Sequence, residues 1–352
     1  MFCHFTRFLI RLVTLPAVLA LVPLACGQEY EAYYMHAGNY PVGETQWSDD
    51  AQGVAHDDSN WFITNTHFIR KIPVQHDLRT VTLLSAGVIY RTIGSYPQIQ
   101  GYNHFGDPDT FTYAGVDYLV VPIENGESTC GSGPPGAVLI LLCSDLSYVW
   151  HTAFPGQCND AGWVAIDNLG FMMSSRQHVH NRIPLPPCQG HGLRYYAFEW
   201  ELLRTTGHGE MQFMQEVHPT DELGNCLEMV TMQGGEYSPD GGLLYLVSGF
   251  YDDDNGLEDR EGIHVLDATT FRRVQHSTRG FGHFDYYYDP GFQTYEEPEG
   301  LTIWDLDDGR AQGIRGQLHV FVSDNDFDLG DSGDIDFKHY TRTIRVDPAS
   351  NC

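Results

Sequence analysis

The sequence predicts an all-β chain folded as a single β-propeller of four-stranded antiparallel blades, five in number, with six as the alternative count. Three observations carry this. A strand–turn–strand phrase recurs at long spacing: Gln52-Gly53 leads into Trp61-Phe-Ile-Thr-Asn65, Gln233-Gly234 leads through Ser238-Pro-Asp-Gly-Gly242 into Leu243-Leu-Tyr-Leu-Val-Ser248, and Glu299-Gly300 leads through Asp308-Gly309 into Leu318-His-Val-Phe-Val-Ser-Asp324. Amphipathic helical periodicity is nearly absent, and β-branched and aromatic runs between turn clusters take its place. Those runs fall into units of about four at a spacing of roughly 50 to 70 residues, the signature of stacked or radial repeats.

Taken in order, the chain opens on a leader. Arg7 and Arg11 precede the apolar run Leu12–Leu24, which ends in Ala25-Cys26-Gly27. A basic n-region, an h-region too short to span a bilayer and small residues at the exit describe a signal peptide over residues 1–27. A lipoprotein anchored through Cys26 is the competing reading. The remainder, 28–352, reads as one propeller domain, with Tyr33–Tyr34 near its start expected to complete the last blade.

The first unit begins near Gln52 and runs through Trp61–Thr64 and Phe68–Ile72 to Thr80–Leu84. The second begins near His104-Phe-Gly-Asp107 and runs through Tyr118–Ile123, Ala137–Leu142 and Ser147–Trp150. The third begins near Gly162–Asp167 and runs through Gly170–Ser174 to Leu193–Phe198. Glu199–Arg204 after it reads as either helix or strand. The fourth and fifth begin at Gln233 and Glu299.

Composition narrows the partners. Nineteen Lys and Arg against 47 Asp and Glu give a formal charge of −28, and removing the leader takes away two arginines and no acid. Such a surface repels phosphate backbones and anionic lipid, so neither nucleic acid nor a membrane span is expected. It suits hard cations, calcium first, because these take carboxylate and carbonyl oxygens. Six cysteines lie beyond the leader, an even number in an exported chain, which points to disulfides. Cys130 and Cys143 flank a glycine-rich turn and a strand and suggest a local staple; Cys352 suggests a tethered C-terminus.

The Asp-Gly turn before a Leu-Tyr-Leu-Val strand resembles extracellular propellers of the lactonase, strictosidine-synthase and phytase-like type. Five units resemble the five-bladed propellers of arabinanase-like glycosidases and tachylectin-like lectins. These resemblances imply the architecture over most of the chain, and the motifs that carry them are generic to propellers, which host many unrelated functions.

In a propeller the innermost strands line a central channel, so Gln52, His104, Asp107, Gln233, Glu236 and Glu299 are expected to converge there. His104, Asp107, Glu236 and Glu299 are the candidate acid–base groups, and Gln52 and Gln233 the candidate ligand-binding amides. His104 and Asp107, three apart around a glycine, could aim at one point. Glu236 with Glu299, or Asp107 with Glu299, are the carboxylate pairs that glycoside cleavage would use. The acidic tracts 251–261 and 324–334 offer Asp252, Asp254, Asp324 and Asp326 as calcium ligands, although neither matches an EF-hand loop. Tyr286 and Tyr287, in an aromatic loop, offer faces for stacking on sugar rings. His178-Val-His180 places two imidazoles on one strand face, a pattern shared by metal ligands and polar surface. The nucleophile elbow, zinc-protease and phosphate-loop motifs are all absent.

Together these features describe an exported, monomeric, acidic propeller that binds extracellular carbohydrate or a similar small ligand, with a calcium ion. The alternative is a glycoside hydrolase or lyase, or a phosphoester or lactone hydrolase, using the channel-mouth histidine and carboxylates. A structural or adhesive module is the third reading.

Overall fold

Short strands with one face on each neighbouring sheet need a core on both sides, and the chain supplies it. Buried apolar residues line both faces of the inner strands of the repeats, and Asp240-Gly241 and Asp308-Gly309 supply turns between them. In the computed structural model these strands form five antiparallel sheets arranged as a five-bladed β-propeller. The structure describes residues 30–125, 133–158, 160–175, 192–227, 229, 232–249, 262–278, 281–282, 296–324 and 334–346. The chain divides into two compact units, Ala32–Thr343 and Met1–Glu31 with Ile344–Cys352. The first carries the propeller; of the second, Tyr30, Glu31 and residues 344–346 are described.

The first strand, β1 (Tyr30–Val42), is held in reserve for the last blade. The first blade is β2 (Ala51–His56), β3 (Asn60–Asn65), β4 (Phe68–Pro73) and β5 (Ile89–Thr92). The second is β6 (His104–Phe105), β7 (Asp109–Tyr113), β8 (Val116–Glu124), β9 (Ala137–Leu142) and β10 (Tyr148–Ala153). The third is β11 (Ala165–Ile166), β12 (Met172–Ser175), β13 (Leu193–Phe198) and β14 (Met211–Val217). The fourth is β15 (Met232–Tyr237), β16 (Leu243–Ser248), β17 (Gly262–Asp267), β18 (Arg273–Thr278) and β19 (Phe281–Gly282). The fifth is β20 (Glu296–Ile303), β21 (Leu318–Asp324) and β22 (Asp334–Val346), completed on its outer edge by β1. The expected closure by the tyrosine-rich N-terminal segment is thus present.

Five hydrophobic clusters fill the five interfaces between blades. Between the fifth and first, Trp47, Trp61, Trp304, Phe321 and Phe337 interlock, Trp61 meeting Trp304 edge-on with centroids 4.7 Å apart. Between the fourth and fifth, Tyr245, Val265, Leu301, Val320 and Tyr340 pack with Tyr34 of β1. The Tyr34 hydroxyl is hydrogen-bonded to that of Tyr245, both being buried. Replacing Tyr34 with phenylalanine strips Tyr245 of that partner, and the expected loss is about 1 to 2 kcal/mol, read as a lower midpoint in urea unfolding.

Two expectations are corrected. Thr80–Leu84 is not a strand: Thr80 and Val81 donate to the Asp77 carbonyl and Ser85 to that of Thr82, leaving Leu84 at 96% exposure. The outer strand is β5, further on. Cys143 is a free, buried thiol, so the Cys130–Cys143 staple does not form; Cys158 and Cys226 are disulfide-bonded. The ambiguous segment resolves as a short helix, α1 (Trp200–Thr206), closed by Gly207 in the left-handed conformation. Among the described residues no helix is long and apolar enough to cross a membrane.

Candidate functional site

The recurring Gln-Gly, Gln-Gly and Glu-Gly steps are a single structural device. On β2 the register against β3 slips between Ala51 and Gly53, leaving Gln52 unpaired. On β15 it slips between Met232 and Gly234, leaving Gln233 unpaired. On β20 it slips between Pro298 and Gly300, leaving Glu299 unpaired. Each is a bulge, which puts an extra residue on the inner strand and re-aims its side chain. The three side chains at equivalent places are therefore delivered to one end of the channel.

The glycine after each bulge makes room for Asp107. A Cβ on Gly53 would lie 2.5 Å from Asp107 Oδ1, one on Gly300 2.3 Å from the same atom, and one on Gly234 2.8 Å from Oδ2. No side chain fits there. In return three inner strands donate to the carboxylate. The Val54 N–H reaches Oδ1 at 2.9 Å, the Gly235 N–H reaches Oδ2 at 3.1 Å, and the Leu301 N–H adds a third bond. Asp107 itself bridges in parallel to Trp163 at the head of the third blade. Asp107 thereby ties the second blade to the other four, to three through its buried carboxylate and to the third blade through its backbone. Burial pushes its pKa well above the ordinary value, against the pull of the three N–H donors.

This pin separates two ends of the channel. Residues before the glycine level lie on one side, residues after it on the other, because the inner strands run in the same direction around the axis. On the first side are Gln52, Gln233, Glu299, His104, Glu124 and Glu297. His104 Nε2 lies 2.7 Å from Gln52 Oε1, Gln52 Nε2 donates to Glu299 Oε1 at 3.5 Å, and Gln233 Nε2 donates to Glu297. Glu124 accepts the Ala161 N–H at 2.7 Å. Glu297 and Glu299 are 7% and 5% exposed. Burial lifts the Glu297 carboxyl to about 7, the Gln233 bond opposing. Burial lifts Glu299 well above its ordinary range, and Glu297, Asp107, Asp50 and Glu124 add to it. On the far side Glu236 accepts the Ile303 N–H at 3.1 Å, and Asp109 accepts those of Ile166 and Thr110, each at 2.6 Å. Burial lifts Asp109 to about 7 and raises Glu236 strongly, the neighbouring Asp109 carboxyl adding to it.

The structure brings Gln52, His104, Gln233 and Glu299 to one end of the channel and divides the rest. His104 and Asp107 do not aim at one point, since the imidazole bonds Gln52 at the mouth while the carboxylate is locked among backbone donors; positions three apart on extended chain fall on opposite faces. Glu236 has Asp109 as its charged neighbour and accepts the Ile303 N–H beyond the glycine level, so it does not join Glu299 at the first end. Glu297, Glu124 and Asp109 were missed. For Glu297 a signal existed: Glu297-Pro-Glu299 places two acids on one strand immediately before a glycine. Asp252, Asp254, Asp326, Tyr286, Tyr287, His178 and His180 lie outside the described residues. Asp324 ends β21, paired with Glu296 and Asp334. Among the described residues no group of three or more His, Cys, Asp or Glu is arranged to hold a metal ion.

No protein-family model matches this chain, and no curated protein matches it. Among solved structures it is similar to a GH43_1 enzyme from Xanthomonas citri complexed with xylose, at 13% identity, 87% of this chain against 93% of that one, and a TM-score of 0.53. A second structure of a GH43_1 enzyme from Xanthomonas citri gives 13% identity, coverage of 88% and 93%, and a TM-score of 0.51. A glutaminyl cyclase from Myxococcus xanthus gives 11% identity, coverage of 88% and 98%, and a TM-score of 0.46. The likeness is one of fold, that of a five-bladed propeller shared with the GH43_1 enzyme structures.

Proposed function

We propose that the chain is an exported glycoside hydrolase whose site is the mouth bounded by Gln52, His104, Glu124, Gln233, Glu297 and Glu299. The observation that carries this reading is the pair Glu297 and Glu299, two nearly buried carboxyls side by side on β20, both raised in pKa. Two such groups close together do not both ionise readily, so near neutral pH the pair holds one proton, giving one acid and one base. Glu299, with four acidic neighbours, holds the proton and serves as the general acid. Glu297, under a Gln233 donor, serves as the base or nucleophile. Glu297 is the first of the charged neighbours that raise Glu299, so the two carboxyls interact, as the paired carboxyls of a glycosidase do. The fold likeness to GH43 structures, one of them complexed with xylose, agrees with a sugar as ligand.

A second reading, carbohydrate binding without cleavage, is favoured by one observation: both carboxyls already receive side-chain amides. A panel of aryl glycosides, xylosides and arabinosides first, together with calorimetric titration of xylo-oligosaccharides, separates the two. The expected result is turnover in the wild type. Glu299→Gln is expected to lose at least about a hundredfold in kcat, the lower end for a general acid, while still binding the oligosaccharide. Binding without turnover in the wild type leaves the binder; neither binding nor turnover ends both readings.

Calcium belongs to this proposal through the acidic tracts that follow β16 and β21. A rise in melting temperature with added calcium and a fall with EDTA is the expected result; no difference removes the ion from the account.

A further inference from the structure

We infer that His104 is a positioning residue for Glu299, acting through Gln52. This rests on the proposed role of the same mouth and adds how the acid is set. The observation is a directional chain across three blades. An imidazole nitrogen of β6 lies 2.7 Å from the Gln52 carbonyl oxygen of β2. The amide nitrogen of the same side chain then donates at 3.5 Å to the Glu299 carboxyl of β20.

Direction follows from the atoms available. The Gln52 oxygen is only an acceptor, so His104 Nε2 carries the hydrogen. With its oxygen held by that donor, the Gln52 side chain presents its NH2, not its oxygen, to Glu299. An amide free to turn over could present the opposite end, an acceptor that rewards a protonated carboxyl. The same amide thus favours the ionised or the protonated form of Glu299 according to which end faces it. His104 decides the end.

The remaining charged groups around Glu299 do not supply this control. Glu297 on its own strand, Asp107 in the channel, Asp50 before β2 and Glu124 on β8 all act to hold its proton. Gln52 is the one side chain bonded to Glu299 that can donate to it among the described residues. Gln233, the equivalent bulge residue, donates to Glu297 instead. Three bulges at equivalent positions thus have distinct assignments: one acid, one amide for the acid, one amide for its partner.

The test reads the carboxyl directly and needs no substrate. With 13C-labelled glutamate carboxyls, the resonance lost in Glu299→Gln identifies Glu299, and its titration is followed in variants of the full chain. His104→Phe is expected to raise the proton affinity of Glu299 roughly three- to tenfold, the range of one net hydrogen bond. His104→Gln, which can still donate to the Gln52 oxygen, is expected to restore the wild-type titration. An unchanged titration in His104→Phe overturns the inference. So does an equal shift in His104→Gln, which would mean that the imidazole matters as a charge and not as a donor. Where His104→Phe does not fold, Gln52→Leu reads the same bond: Glu299 should shift upward to the same extent, and no shift overturns the inference. Because no glycoside enters the measurement, failure to cleave sugars and failure of this relay are told apart.

Discussion

Replacing Asp107 with alanine is expected to cost about 4 to 6 kcal/mol of folding free energy, enough to unfold a marginal domain at ordinary temperature. The reason is the count of stranded donors. The N–H groups of Val54, Gly235 and Leu301 all end on this carboxylate. Each buried donor left without a partner costs about 1 to 3 kcal/mol. Asparagine keeps one oxygen but turns an N–H against a backbone N–H, so Asp107→Asn should recover only part of the loss. The pocket's tightness supplies an independent check. In Gly300→Ala the new Cβ would sit 2.3 Å from Asp107 Oδ1 and 2.7 Å from the Gly53 Cα, so the pin cannot remain where it is, and a loss of similar size is expected. Urea unfolding followed by tryptophan fluorescence measures both. A loss under about 1 kcal/mol in Asp107→Ala would mean that water replaces the carboxylate without strain, and the hub would then be a filler.

That hub marks the limit of what the chain reveals before folding. The Gln-Gly, Gln-Gly and Glu-Gly steps are visible because a bulge and its glycine are neighbours in sequence, and their repetition marks the shared level of Gln52, Gln233 and Glu299, while the blade count of five rests on the units of about four strand-length runs. The partners of Asp107 come from residues 54, 235 and 301, and nothing local to His104-Phe-Gly-Asp107 says that they will meet. A histidine and an aspartate around a glycine look like a convergent pair on paper. In extended chain they diverge, and the aspartate becomes structural while the histidine stays at the mouth. Thr80–Leu84 misleads for the opposite reason: its β-branched residues have strand propensity, yet the Asp77 carbonyl captures the two N–H groups that a ladder would need. Glu124 and Asp109 sit at strand ends that the pattern of apolar residues identifies, but their facing the channel depends on register, which no short window contains.

The carboxyls that mark the channel also predict an unusual dependence of stability on pH. Glu297 is lifted from 4.5 to about 7 and Asp109 from 3.8 to about 7. A carboxyl raised in the folded state binds its proton more tightly there than in the unfolded chain. Its stabilising effect is complete below the unfolded pKa and is lost as pH rises toward the folded one. Between about pH 4 and 7 each of these two groups should withdraw on the order of 3 to 4 kcal/mol, at 1.36 kcal/mol per unit. Glu299, Glu236 and Asp107, raised in the same direction, act with them. The buried imidazoles oppose this. His339 is pushed down to about 3 by burial, and His319 well below its ordinary value by burial and by His339. A histidine depressed on folding penalises the native state once pH drops below the unfolded value of 6.5, down to its folded pKa. The two families overlap between about pH 4 and 6.5 and must be separated by substitution. Glu297→Gln keeps the shape and cannot titrate, so its urea midpoint should fall less steeply than the wild type's from pH 5 to 7.5. His339→Gln, able to donate to the Tyr40 carbonyl that His339 Nε2 meets at 2.7 Å, should flatten the acid limb and leave the neutral limb unchanged. Parallel curves for wild type and Glu297→Gln would show that this carboxyl titrates as an exposed one does. The case for a shared proton at the mouth, and with it an acid and a base of different character on one strand, would then fail on thermodynamic grounds before any sugar was tried.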